Sequence, residues 1–120
     1  MRHKLRAVRT TYNNKSYASK LEAAYAAHLD DLKKDGLILF YLEQVPFRFW
    51  DTSKYVLDFM VFTTDGEVKF IETKGKETAE FRRKMKLMKR EYPQVDVIIV
   101  KGQVKDGQYV AFKEEVYGVL

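Results

Sequence analysis

The sequence predicts a single α/β domain in which helices flank a mixed β-sheet of about five strands. The chain has 120 residues, of which 46% are hydrophobic and 32% are charged, as expected of a globular domain with one core. Two segments carry apolar residues at helical spacing, and the segments around them alternate or are continuously apolar, as strands do. The resulting order of elements is α-β-β-β-α-β-β, which places helices on both faces of the sheet.

The first helix is predicted over residues 16–34. Its apolar positions recur at helical spacing: Leu21, Tyr25, His28, Leu29 and Leu32. Because His28 lies on this stripe, we interpret it as a packed histidine. Gly36 follows shortly after two lysines, and glycine commonly ends a helix. Residues 1–15 are polar and basic, so we predict a flexible N-terminal arm ahead of a domain formed by residues 16–120.

The strands are predicted from alternation and turn residues. A strand-rich stretch over residues 37–50 contains Pro46, which favours an edge position or a break there. Residues 55–63 and 67–74 form a hairpin around Asp65-Gly66. Residues 95–100 are almost entirely apolar, as in a strand buried on both faces, and a final strand covers residues 108–113.

The turn of the central hairpin decides which side chains meet. A two-residue turn would place Asp58 opposite Thr73 and direct the charged groups to opposite faces. A three-residue loop with Gly66 in a left-handed conformation places Asp58 opposite Glu72 instead. The same register pairs Met60 with Phe70 and Phe62 with Val68. We prefer this loop because the even-numbered apolar residues then share one face. The two carboxylates would lie within about 5 Å at Cβ, with Lys74 one step along that face.

Two opposed carboxylates on a mostly apolar face predict a metal site. They repel each other unless a cation lies between them. A hard divalent ion such as Mg²⁺ takes one or two carboxylates together with waters and substrate phosphates, and it can activate a water. Lys74 would orient the water or stabilise charge on a phosphate. An ion pair between Lys74 and Glu72 or Asp58 on an exposed strand end is the alternative interpretation.

Basic residues lie in two blocks on either side of an acidic middle. The net charge is +6 over residues 1–20, −5 over 21–73, +5 over 74–92 and −1 over 93–120. Nucleic acid could bind the basic blocks, although two solvated faces would have the same charge. The second block includes a helix predicted from Thr78 to about Glu91. The candidate DNA contacts are Arg6, Arg9, Lys76, Arg82, Arg83 and Lys86. Tyr12, Tyr17 and Trp50 could stack on unpaired bases or could pack in the core.

Asp58, the hairpin and Glu72-Thr73-Lys74-Gly75 ahead of a basic helix resemble the PD-(D/E)xK nuclease superfamily. The order is similar to that of small phage-encoded endonucleases and Holliday-junction resolvase-like proteins, and the likeness covers about residues 16–100. Leu57 stands where the superfamily usually has proline. The resemblance implies a restriction-endonuclease-like core and a deoxyribonuclease that uses Mg²⁺ or Mn²⁺ and acts on branched DNA.

The resemblance also implies a role for each site residue. Asp58 and Glu72 would hold the metal, the Thr73 carbonyl would add a ligand, and Lys74 would serve the water or the phosphate. Glu22 would complete the site directly or through a metal-bound water. Ser19 and Glu22 also have the spacing of a capping box, which is a structural explanation for the same glutamate. Gln44 could face the same site from the adjacent strand, as in some relatives of that superfamily, or could be a surface amide.

Composition limits the location and the partners. The chain has no cysteine, which favours a reducing compartment, and we expect the cytoplasm of a prokaryotic or phage-infected cell. Its apolar runs are too short to span a membrane, and no secretion signal precedes them. We expect a homodimer on DNA, because resolving a junction requires two cuts. A non-catalytic nucleic-acid-binding domain is the alternative function, and RNA is a less favoured substrate.

Overall fold

A five-stranded mixed sheet with two helices forms the protein in the computed structural model, which describes residues 9–118. The elements are β1 (Thr10–Tyr12), β2 (Lys15–Tyr17), α1 (Lys20–Lys34), β3 (Ile38–Arg48), β4 (Lys54–Thr63), β5 (Val68–Thr73), α2 (Ala79–Glu91), β6 (Val97–Lys105) and β7 (Gln108–Val116). The sheet order is β3-β4-β5-β6-β7, with β5 and β6 parallel and the other neighbours antiparallel. The predicted α/β class and α-β-β-β-α-β-β order are confirmed.

The segment before α1 differs from the sequence prediction. Within the stretch expected to be a flexible arm, β1 pairs with β2 in a hairpin. The Tyr12 hydroxyl donates to an Asp30 carboxylate oxygen at 2.6 Å, which anchors the hairpin to α1. Asn13 and Asn14 both have positive φ, a conformation that asparagine tolerates better than most residues and that a tight turn requires. Residues 1–8 of the predicted arm, including Arg6, lie outside the described residues.

Side-chain caps determine where the helices begin. The Ser19 hydroxyl accepts a hydrogen bond from the Glu22 N–H, so α1 starts at Lys20, later than predicted. Thr78 caps α2 in the same way through the Phe81 N–H. None of the helices within residues 9–118 is long and apolar enough to cross a membrane.

Two apolar clusters lie on opposite faces of the sheet, one under each helix. Along β6, Ile98 and Val100 pack with α1, whereas Val97 and Ile99 pack with α2. This strand is therefore buried on both faces, as predicted. His28 is packed against the rings of Tyr25 and Phe112, with centroids 5.4 and 5.0 Å away, which confirms its structural interpretation.

The outer pair β3–β4 contains an irregular position at Gln44. Leu57 packs in the α2 cluster, but Phe59, two residues later, packs in the α1 cluster. Regular alternation would keep both on one face, so the pleat changes sides between them. The register skips the pair of Gln44 and Asp58 at this point, and Gln44 has a φ of 54°. Pro46 continues the strand at the sheet edge, as predicted, and the irregularity lies two residues before it.

The hairpin of β4 and β5 has the preferred register. Met60 pairs with Phe70 and Phe62 with Val68. Gly66 has a φ of 91°, and the Thr63 N–H donates to the Glu67 carbonyl at 2.9 Å, which closes the three-residue loop. The predicted register and the predicted three-residue loop with a left-handed Gly66 are both confirmed.

Candidate active site

The candidate site lies where β4 and β5 stop pairing. Their ladder ends at Phe59 and Ile71, so the predicted pair of Asp58 and Glu72 falls just beyond its last rung. On its other side, β5 remains paired further along the chain, because its ladder with β6 continues as far as Thr73 and Val100. Backbone groups and side chains beyond the ladder must therefore find other partners.

Asp58 replaces the missing rung with side-chain hydrogen bonds. One of its oxygens accepts from the Thr73 N–H at 2.9 Å and from the Thr73 hydroxyl at 2.7 Å. Burial nevertheless raises the pKa of Asp58, although these two bonds and the charge of Lys74 oppose the effect. Thr73 therefore fixes the position of the Asp58 side chain. The role of the Thr73 carbonyl as a metal ligand remains a prediction.

Glu72 is buried on the α2 side of the sheet, with 7% of its surface exposed. The Tyr55 hydroxyl donates to one carboxylate oxygen at 2.5 Å, and the Lys74 ammonium lies 3.9 Å from the other. Burial, followed by the charge of Asp58, raises the pKa of Glu72 to about 8. Lys74 itself lies 4.7 Å from the centroid of the Phe81 ring, so α2 fixes the direction of its side chain.

Glu22 reaches the same place from α1 and is 4% exposed. One carboxylate oxygen accepts from the Ala18 N–H at 2.9 Å, and the other accepts from the Gln44 side-chain amide at 2.9 Å. Burial, followed by the charge of Asp58, raises the pKa of Glu22 to about 7. Glu22 therefore helps to close the start of α1, although its carboxylate accepts from Ala18 and not from the capping residue Ser19, and it also lies beside Asp58. Its role at a metal remains a prediction.

The structure brings Glu22, Gln44, Asp58, Glu72 and Lys74 together, as predicted. A cleft of about 470 Å³ opens over Glu22, Gln44 and Asp58. Arg9 and Lys15, from the segment before α1, line the same cleft together with Glu43. Lys15 is held by Glu43 at 2.8 Å, and the Arg9 guanidinium donates to the Ser16 hydroxyl at 3.1 Å.

Within residues 9–118, the basic residues of α2 that are predicted to contact DNA have different surroundings. Arg83 pairs with Glu80 at 3.1 Å and approaches Asp51 at 3.9 Å. Arg82 and Lys86 instead line a separate cleft of about 340 Å³ beside Tyr117. Lys76 is exposed in the segment between β5 and α2.

Tyr55 is a site residue that the sequence did not reveal. Regular alternation places odd-numbered residues of β4 on the face opposite Asp58, so nothing in the pattern connects Tyr55 with Glu72. The change of face between Leu57 and Phe59 makes the contact possible. The positive φ of Gln44 accompanies this change of face. The sequence gives no sign of it, because glutamine is not among the residues that favour such a conformation.

The donor set fits a divalent ion that takes few protein ligands. Within residues 9–118, no group of three or more His, Cys, Asp or Glu side chains is arranged to hold a metal. Half-buried Asp58 and buried Glu72 offer hard carboxylate oxygens that repel each other, and the charge of Asp58 contributes to the raised pKa of Glu72. One or two carboxylates, with waters and phosphate oxygens, are the usual ligands of protein-bound Mg²⁺.

Comparison with known proteins identifies a family. The family described as "Protein of unknown function (DUF1064)" matches residues 2–107, a range that contains α1, the β4–β5 hairpin, α2 and every candidate site residue. Neither the curated proteins nor the solved structures give a match. Because the match covers most of its length, the chain belongs to the DUF1064 family.

Proposed function

We propose that this protein is a metal-dependent deoxyribonuclease that hydrolyses phosphodiester bonds and acts on branched DNA. The observation that carries the proposal is the convergence of buried Glu22, half-buried Asp58 and buried Glu72 around the end of one strand pair, beside Lys74. Three carboxyl groups so placed destabilise the protein when ionised, and such strain is common at functional sites. The resemblance to PD-(D/E)xK nucleases agrees with this set of residues.

Asp58 and Glu72 would hold Mg²⁺ or Mn²⁺, and the Thr73 carbonyl would be a third protein ligand. The ion would supply stabilisation for the negative charge that develops on the phosphate. In hydrolysis, a water oxygen attacks phosphorus, the bond to the leaving oxygen breaks, and that oxygen takes a proton. Lys74 is the residue placed to stabilise the negative charge, because Glu72 and Phe81 hold its ammonium at the site.

Glu22 would act through water rather than as a direct ligand. Its two oxygens already accept hydrogen bonds from Ala18 and Gln44, and its carboxyl group lies next to Asp58. In this position it can hold Asp58 in place and accept a hydrogen bond from a water in the cleft. Gln44 would be a positioning residue, since its side-chain amide donates to Glu22.

Purified protein incubated with supercoiled, linear and four-way-junction DNA tests this function. We expect cleavage in Mg²⁺ or Mn²⁺, no cleavage in EDTA, and preference for the junction. Binding to the same DNA without cleavage in either ion would favour the alternative, a non-catalytic nucleic-acid-binding domain. Matched RNA substrates test the sugar preference, for which we expect DNA.

We also propose that the protein acts as a homodimer. An apolar sheet patch, formed by Phe40, Leu42, Phe62 and Val68, lies beyond the end of α2 on the same face of the sheet. Phe40 and Phe62 stack with centroids 4.5 Å apart, and Phe40, Leu42 and Val68 are each more than 40% exposed. Exposed apolar patches on an edge strand mark association sites. A second copy related by a two-fold axis would cover both patches and supply a second active site.

Sedimentation of Leu42→Lys tests the dimer. We expect this variant to be a monomer with an unchanged circular dichroism spectrum. Val110→Lys is the matched control, because Val110 is 62% exposed on the opposite edge strand. A monomeric wild-type protein, both free and on junction DNA, would contradict the proposal.

A further inference from the structure

The turn between β3 and β4 presents an exposed tryptophan. Trp50 is 93% exposed, whereas the preceding Phe49 is 5% exposed and packs in the α2 cluster. Of the three aromatic residues that could stack on bases, Tyr17 is buried and Tyr12 is bonded to Asp30. Trp50 is the one whose ring is open to a partner. Tryptophan carries a large apolar surface, so leaving it in water disfavours the free protein.

The backbone that carries Trp50 is rigid. The Trp50 N–H donates to a Glu91 carboxylate oxygen at 2.9 Å, which ties the turn to the end of α2. Two backbone bonds close the turn, from the Phe49 N–H to the Ser53 carbonyl at 2.9 Å and from the Thr52 N–H to the Phe49 carbonyl at 3.0 Å. A turn that is fixed while its aromatic ring is exposed is preorganised for binding.

The charges around this turn favour a polyanion as the partner. Five basic residues surround it: Arg48, Lys54, Arg83, Lys84 and Arg90. The neighbouring acidic residues are Asp51, Glu80 and Glu91. Asp51 and Glu80 pair with Arg83 at exposed positions, and exposed ion pairs contribute little stability, so this arginine can exchange a carboxylate for a phosphate.

The turn lies within reach of the candidate site. From Lys54 to Asp58 the strand advances about 13 Å at its usual rise per residue. Along α2, Phe81 contacts Lys74 and Glu91 contacts Trp50, and this part of the helix is about 15 Å long. At about 3.4 Å per stacked nucleotide, each of these lengths corresponds to about four nucleotides.

We propose that Trp50 stacks on an unpaired base, so that the protein binds DNA at a point where a duplex meets a single-stranded segment. The ring can stack only on a base whose face is open, because bases inside a duplex already stack on their neighbours. This proposal deepens the nuclease function by naming the feature of branched DNA that is recognised. It concerns binding, which can be measured when no cleavage takes place.

Trp50 is the only tryptophan of the chain, so its fluorescence reports this contact directly. In EDTA, titration with a single-stranded thymidine oligonucleotide should quench the emission, and a blunt duplex of equal length should quench it much less. Because this experiment contains no divalent ion, quenching without later cleavage would retain the stacking site and reject the nuclease. Cleavage in Mg²⁺ without quenching in EDTA would retain the nuclease and reject the stacking site.

Variants measure the strength of the contact on a labelled forked DNA, by fluorescence anisotropy in EDTA. Stacking of one base on an aromatic side chain predicts that Trp50→Ala weakens binding at least about fivefold, whereas Trp50→Phe retains most of the affinity. Val110→Ala, at an exposed apolar position on β7, should bind as the wild type does. Equal affinity of Trp50→Ala and wild type would overturn the proposal. A blue shift of the emission with rising protein concentration and no DNA would also overturn it, in favour of a contact between copies of this chain.

Discussion

The two ends of the β4–β5 pair differ in how their polar groups are satisfied. At the turn end, the ladder is regular from Phe59 to Phe62, and Asp65 is an exposed residue that accepts from the Thr63 hydroxyl. At the other end the ladder stops, and Asp58 takes the place of a backbone partner for Thr73. The candidate site thus lies where backbone pairing ends, because a side-chain carboxyl group there takes the place of the missing backbone partner.

The largest effect should come from removing a carboxylate at the site end while keeping its shape. Asp58→Asn and Glu72→Gln should each lower the cleavage rate by about a thousandfold or more, because a metal ligand is lost. Single-turnover cleavage of junction DNA measures this. Asp65→Asn, at the turn end of the same hairpin, is the control and should cleave normally. If either site variant cleaved at the wild-type rate, the assignment of the site would be wrong.

Lys74, which directly follows β5, allows a second comparison with a lysine inside that strand. Lys74→Ala should lower turnover by about a hundredfold, because its ammonium acts on charge that develops at the phosphate. Lys69→Ala, near the turn end of β5, should leave turnover unchanged. Measuring the urea midpoint of both variants distinguishes the alternative: if Lys74 is only an ion-pair partner of Glu72, stability and activity should fall together.

The carboxyl groups of Glu72 and Glu22, at the site end, should also determine how the free energy of unfolding depends on pH. Burial raises the pKa of Glu72 to about 8 and that of Glu22 to about 7, both above the usual value of 4.5. The folded protein therefore holds more protons than the unfolded chain between about pH 4.5 and 8, and stability falls as pH rises through this window. One pH unit corresponds to about 1.4 kcal/mol for each proton so held, so the two groups together should cost several kcal/mol across this window.

Urea unfolding in EDTA at pH 5 and pH 8 measures this loss. Glu72→Gln should flatten the dependence, because its amide does not ionise. Glu80→Gln, which changes an exposed glutamate on α2, should leave the dependence as in the wild type. Addition of Mg²⁺ at pH 8 should restore stability to the wild type and much less to Glu72→Gln. Stability that rises from pH 5 to pH 8 without metal would contradict the burial of these groups.

The regular parts of the molecule could be predicted from the sequence because local patterns determine them. Gly66 indicated the loop that sets the β4–β5 register, and that register brought Asp58 near Glu72. The β1–β2 hairpin was missed because its strands have three residues each and carry no apolar alternation. Its contacts with the rest of the molecule, such as the bond from Tyr12 to Asp30 and the burial of Tyr17 in the α1 cluster, are tertiary, and a local pattern cannot show them.

The details of the site were less predictable for a related reason. The change of face at Gln44 moves Tyr55 onto the side of Glu72, and a single sequence read by alternation assigns it to the other side. The two interpretations of Glu22 could not be separated either, because the cap and the site use the same side chain. Irregular backbone and shared side chains are thus the features that sequence patterns describe least well.

Gln44 offers the smallest and most selective test of the comparison between the two ends. Its left-handed backbone costs about 1 kcal/mol, which glycine would not incur, but its amide donates to Glu22. Gln44→Gly should therefore unfold at a similar or slightly higher urea concentration and yet cleave junction DNA about tenfold more slowly. Asp106→Gly is the matched control, since Asp106 has a φ of 53° in the β6–β7 turn. Asp106→Gly should also unfold at a similar or slightly higher urea concentration, but it should cleave junction DNA at the wild-type rate. Equal activity of the two glycine variants would show that Gln44 serves the backbone alone. A loss confined to Gln44→Gly, with normal stability, would show that this strained position is retained because it holds Glu22 against Asp58.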